Sequence, residues 1–202
     1  MDDLKNITAE ESAKIKDKDI KIPLSPLFCV LTVLSSTILS SAIYLIQRDI
    51  IFSFQAFITF ILLVWVSAVD IKLHLAPNWV SLAFLILGVP NIVRLLIAGN
   101  FMDMLVNYIG GMFVGFILLF ISALMTKGGI GAGDIKIMTS LGLVVGLDSI
   151  FMGQMFGLLY AAIGSIILLA LKRADKKTRI PLLPFLSAGV VTAMFVPVSI
   201  LF

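Results

Sequence analysis

The chain has 202 residues, of which 60% are hydrophobic and only 13% charged. A soluble domain averages about 25% charged residues, so this composition, with its mean hydropathy of +1.12, excludes a soluble globule and places the chain in a lipid bilayer. The net charge of +3 is small, and its basic residues lie in short loops, which excludes a nucleic-acid-binding face.

In chain order, residues 1–26 come first. They are polar, with five lysines against six acids, and end at Pro23 and Pro26. No hydrophobic period runs through them, so they are expected to form a cytoplasmic tail, disordered or lying on the membrane surface. A secretory signal is the competing reading. The polar lead is too long for one, and the apolar run that follows is long enough to span. Residues 27–202 are then expected to form one membrane domain. Cys29 is the only cysteine, which rules out an intramolecular disulfide and a cysteine-based metal cluster.

A spanning helix needs about 20 apolar residues, which predicts an all-α, polytopic fold with roughly seven spans at 27–46, 51–69, 79–98, 104–125, 135–149, 151–171 and 182–202. The stretch from Ile135 to Leu171 is too long for one simple span. Two helices with a tight turn near Asp148 to Gly153 account for it. Six spans result if one helix is re-entrant. The loop 172–180 holds five basic residues, and the loops near Asp70 and Asp134 carry Lys72, Lys127 and Lys136. The alternate loops carry only Arg48 beside Asp49, then Asp103 and Asp148. Basic loops face the cytoplasm, so the N-terminus is expected inside and the C-terminus outside. Both aspartates then fall on the cytoplasmic side.

Asp70 and Asp134 carry the most information. Each lies where a long apolar segment meets a short polar loop. Acids that persist at membrane depth are costly and tend to be functional. Two carboxylates that share a site split their titration, so one can hold a proton while the other is ionised. Such a pair can activate water and polarise a carbonyl. Gly129, Gly131 and Gly133 make a loop with little bulk before Asp134, open to an extended peptide. Asp134 is expected to begin a helix, where the dipole favours an anion. Pro77 and Asn78 are expected to set a turn and start the third span.

Asp70, six residues, Pro77-Asn78, and later Gly131-Ala132-Gly133-Asp134-Ile135-Lys136 together resemble the type IV prepilin peptidases, polytopic aspartic proteases that include the archaeal preflagellin peptidases. Gly142 and Gly146 follow at spacings similar to the bacterial branch. Ile180-Pro181-Leu182-Leu183-Pro184-Phe185 looks like that branch's late Ile-Pro-x-x-Pro-Phe element. The resemblance implies a membrane endopeptidase with Asp70 and Asp134 as its catalytic pair and no metal or cofactor. It removes the short basic leader from prepilin, pseudopilin or preflagellin-like precursors at the cytoplasmic boundary of the cell membrane. Larger bacterial members carry paired cysteine motifs associated with N-methylation; these are not found in this sequence, so methyl transfer is not expected. Ala76 stands where many relatives have isoleucine.

Other residues have plainer readings. Gly-x-Gly-Asp alone is satisfied by a glycine loop and an aspartate N-cap. Lys136 either supports the pair or snorkels to the interface. His74 is a candidate third group, although a lone loop histidine is more often exposed. The basic run 172–180 suits contact with anionic lipid. Gly111-x-x-x-Gly115, Gly142-x-x-x-Gly146 and Gly153-x-x-x-Gly157 read as helix-packing notches, and Gln154 as an interhelical hydrogen bond. A presenilin-type protease fits less well, because Val69 precedes Asp70 and no Pro-Ala-Leu element is present. The alternative from another class is a proton- or cation-coupled transporter using Asp70 and Asp134. It expects acids at helix centres and internal repeats.

Overall fold

The computed structural model describes residues 26–73, 76–99, 101–126, 130–170 and 181–195. The expected tail up to residue 25, His74, Lys127, Gly129 and the basic run 172–180 lie outside the described residues. The chain divides into two units, Met1–Val30 and Leu31–Phe202. Of the first, the described part, 26–30, is the opening of a helix.

The described residues form helices and no strand: α1 (Pro26–Gln47), α2 (Ile50–Leu73), α3 (Asn78–Ala98), α4 (Phe101–Met125), α5 (Ala132–Val145), α6 (Leu147–Ala170) and α7 (Leu183–Phe195). The first four and α6 contain stretches long and apolar enough to cross a membrane. In lipid every backbone polar group needs an internal partner, and helices supply it. The fold is that of a multi-pass helical membrane protein.

Local chemistry sets the helix starts. Asp49 Oδ1 accepts the backbone N–H of Ile51 at 2.9 Å and of Phe52 at 3.1 Å, capping α2. Its Oδ2 pairs with Arg94 of α3 at 2.7 Å. Burial pushes the Asp49 carboxyl up, but the two N–H groups and the Arg94 guanidinium outweigh it and hold the group below its ordinary value. α3 starts at Asn78, directly after an extended Pro77, and ends at Gly99, whose φ of 75° closes the helix. Farther along, Gln55 Nε2 donates to Leu87 O at 2.8 Å. Near the other end of the hairpin, Trp65 and Trp79 meet with ring centroids 4.9 Å apart.

The break between α5 and α6 falls at Gly146, earlier than the turn expected at Asp148 to Gly153. Gly146 adopts φ 83°, and Asn107 Oδ1 on α4 accepts the Leu147 N–H at 2.8 Å, capping α6. Asp148 instead joins the first turn of α6, where the helix dipole favours an acid. The 14 residues of α5 rise only about 21 Å at 1.5 Å each, short of the hydrocarbon core. α5 is a core helix, buried continuously from Ser140 to Val145 and packed by α3, α4 and α6.

Glycine notches make this close packing possible. A Cβ on Gly111 would lie 2.6 Å from Gly142 O, and one on Gly115 2.5 Å from Met138 O. Between α6 and α7, a Cβ on Gly153 would meet Val190 Cα at 2.8 Å, and one on Gly157 would meet Leu186 Cα at 2.7 Å. Lipid chains are as apolar as leucine, so helix association rests on such close backbone contact and on interhelical hydrogen bonds. Gln154 Nε2 donates to Gly115 O at 2.9 Å, joining α6 to α4. Asn91 Nδ2 on α3 donates to Leu143 O and Val144 O on α5. The expected packing roles of Gly111, Gly115, Gly142, Gly153 and Gly157 and the expected bond of Gln154 are observed; Gly146, expected as a notch, instead ends α5 with its positive φ. Gly142→Val, whose Cβ would strike the Gly111 carbonyl, is expected to destabilise by about 1–3 kcal/mol or more through overpacking. Thermal unfolding in detergent measures it; an unchanged melting temperature contradicts the packing described.

Candidate active site

Asp70 lies in the last turn of α2, three residues before its end, and is 6% exposed. Its Oδ2 accepts the backbone N–H of Leu183, the first residue of α7, at 3.1 Å. One turn earlier, Ser67 Oγ donates to Ser187 Oγ at 3.0 Å. α2 is thereby tied to α7 beside the acid.

Asp134 is the third residue of α5 and is 8% exposed. Gly131, extended at φ −70° and ψ 139°, occupies the N-cap position and makes no side-chain cap bond. Its carbonyl accepts the Asp134 N–H at 3.1 Å. Asp134 is thus not the N-cap of the plainer reading; it sits inside the first turn. Its Oδ2 lies 3.4 Å from where a Cβ on Gly131 would stand, so the carboxylate folds back toward the glycine loop.

The two aspartate loops touch. A Cβ on Gly133 would collide with the Ala76 Cβ and lie 3.2 Å from the Ala76 carbonyl. Glycine at 133 lets the loop after Asp70 rest against the opening of α5. Asp70 and Asp134 lie within electrostatic reach of each other. Lys136 is exposed, and its ammonium reaches Asn78 Oδ1 at 3.5 Å, linking the ends of the two loops. Pro77 and Asn78 form the predicted turn and helix start. Gly131 lies against the Asp134 carboxylate and Gly133 against Ala76, while Lys136 reaches Asn78. Among the described residues, no group of three or more His, Cys, Asp or Glu comes together to hold a metal.

Three features escape sequence reasoning. They are the Leu183 N–H on Asp70, the seat of Gly133 on Ala76, and the Trp65–Trp79 contact one turn before Asp70. The first left a trace in Pro181 and Pro184, which mark a helix start and hence open N–H groups.

In this multi-pass helical membrane protein the segment after one buried acid thus rests against the helix turn that carries the other. The chain belongs to the type IV leader peptidase family, whose model matches residues 57–172 and so takes in both aspartates. It is 29% identical over 143 residues to the prepilin leader peptidase/N-methyltransferase of Bacillus subtilis (strain 168), an alignment covering 69% of this chain and 54% of that protein. The chain thus spans about half the length of that relative. No solved structure matches.

Proposed function

We propose that this chain is a membrane aspartic endopeptidase that cleaves the short basic leader from type IV prepilin-like precursors at the cytoplasmic face of the cell membrane. The observation that carries this reading is the seat of Gly133 on Ala76, which rests the segment after the buried Asp70 against the turn that holds the buried Asp134. Family membership supports it, as does the name of the Bacillus subtilis relative.

In the proposed reaction a water between the carboxyls attacks the scissile carbonyl carbon. The ionised acid takes a proton from that water, and the protonated acid gives its proton to the carbonyl oxygen. The tetrahedral intermediate then collapses. The C–N bond breaks, the acid that took the water proton gives it to the leaving amine, and the other acid takes back a hydroxyl proton as the carbonyl re-forms as a carboxylic acid. Each acid acts in both protonation states, so the pair titrates as a unit. Gly131 keeps the space beside the Asp134 carboxylate free of a side chain, Gly133 seats the Ala76 segment, and Lys136, Pro77 and Asn78 support the loops. The substrate's apolar helix lies among the enzyme's spans, with its cleavage site in a water-lined cavity because extended backbone is not tolerated against lipid. Residues 27–202 form the peptidase domain, and 1–26 a cytoplasmic tail. Substrates are prepilin, pseudopilin or preflagellin-like precursors, with lipids as surroundings.

The test is full-length protein in proteoliposomes with a precursor carrying a basic leader and an apolar helix. The expected result is a single cut at the leader–helix boundary, located by product mass. Proton or cation flux without precursor, and no cleavage, would favour the transporter alternative.

A further inference from the structure

We propose that the opening turn of α7, through the Leu183 N–H, is a positioning element that orients the Asp70 carboxylate toward Asp134; this rests on reading Asp70 as one of the two reacting acids. Asp70 sits on the last turn of its helix, where a terminus frays unless it is held. α2 packs chiefly on α7 and more sparsely on α3, whereas α5, which carries Asp134, packs on α3, α4 and α6. Asp70 is therefore placed mainly from the α7 side.

Two interhelical bonds one turn apart do this: Leu183 N–H to Asp70 Oδ2 at 3.1 Å and Ser67 Oγ to Ser187 Oγ at 3.0 Å. α7 is itself seated closely on α6, since a Cβ on Gly189 would strike the Gly153 carbonyl and the Gly157 nitrogen. α6 is joined to α4 by Gln154, and α4 to α5 by the Gly111–Gly142 crossing. A continuous path of side-chain hydrogen bonds and backbone-close contacts thus connects the two acids. The Leu183 side chain is fully buried, and an N–H to carboxylate bond in such surroundings is short of competing water and directional. Pro181 and Pro184 flank this turn and restrict the backbone that presents the N–H.

Leu183 is the first helical residue, a place where proline is accepted because its missing N–H has no helical partner. Leu183→Pro therefore deletes the donor with little harm to the helix. Leu183→Val keeps the N–H while shortening the side chain. In the cleavage assay, Leu183→Pro is expected to lower kcat about a hundredfold, the scale of a reacting group displaced by about 1 Å, with KM little changed. Leu183→Val keeps most of its kcat. Equal losses in the two variants overturn the proposal.

A readout independent of cleavage is the melting temperature of Leu183→Pro and Leu183→Val in the parent and in Asp70→Ala. The extra loss caused by proline is expected in the parent and absent in Asp70→Ala; the same extra loss in both backgrounds overturns the proposal. Should the proline variant not fold in either background, amide exchange of Leu183 in ¹⁵N-leucine-labelled protein decides. Exchange is expected to be faster in Asp70→Ala than in the parent, and an unchanged rate overturns the idea. Asp70→Asn is assayed alongside. If it still cleaves, the proposed function fails. If it is inactive and no coupling is found, only the positioning role fails.

Discussion

Asp70→Asn and Asp134→Asn are each expected to abolish precursor cleavage, by at least about a thousandfold, the scale of general acid–base catalysis. The substitution keeps the side chain's shape and removes its ability to exchange a proton. Asparagine Oδ1 can still accept the Leu183 N–H that Asp70 Oδ2 accepts at 3.1 Å, so folding and membrane insertion are preserved. The double variant is expected to be no worse than either single one, because the acids act as one unit and their losses do not add. Gel mobility and product mass of a co-expressed precursor, with insertion checked separately, measure this. Full cleavage by either single variant refutes the assignment.

Gly133→Val is expected to cost about a hundredfold in cleavage, the scale of a small displacement of a reacting group. The reason is steric: the added Cβ falls on the Ala76 Cβ, with the Ala76 carbonyl 3.2 Å away, so one loop has to move away from the other. Asp134 follows Gly133 on the opening turn of α5 and moves with it away from the segment that follows Asp70. Gly133→Ala is expected to lose activity as well, and the paired change Gly133→Ala with Ala76→Gly to recover most of it, since the methyl group is merely moved across the contact. Non-additivity of this kind marks direct contact. Equal activity in Gly133→Val and the parent contradicts the proposed role of the contact.

Much of the fold was legible because the bilayer imposes long apolar runs, and the sequence has them. α1 to α4 follow the expected spans within a few residues. Gly111, Gly115, Gly142, Gly153, Gly157 and Gln154 stand out because small or polar residues inside apolar helices need a reason. The α5–α6 break was placed too late because Asp148 looked like loop chemistry. Gly146 decides it through its positive φ and the Asn107 cap, which comes from a helix 40 positions away in the chain. The acids themselves were legible from their motifs. What holds them was not: Leu183 acts through a backbone N–H, which no side-chain pattern encodes. Ala76 matters by being small, and only its neighbour Gly133 shows why.

The central claim is that Asp70 and Asp134 share one pocket in the membrane-embedded protein. Cysteine cross-linking tests it most directly. In a Cys29→Ser background, Asp70→Cys with Asp134→Cys, treated in native membranes with a short bifunctional thiol reagent, is expected to cross-link within one chain. Asp70→Cys with Asp148→Cys, on the opening turn of α6 past the far end of α5, is expected not to. If the 70/134 pair cross-links no better than the 70/148 pair, the two acids do not meet and the account fails.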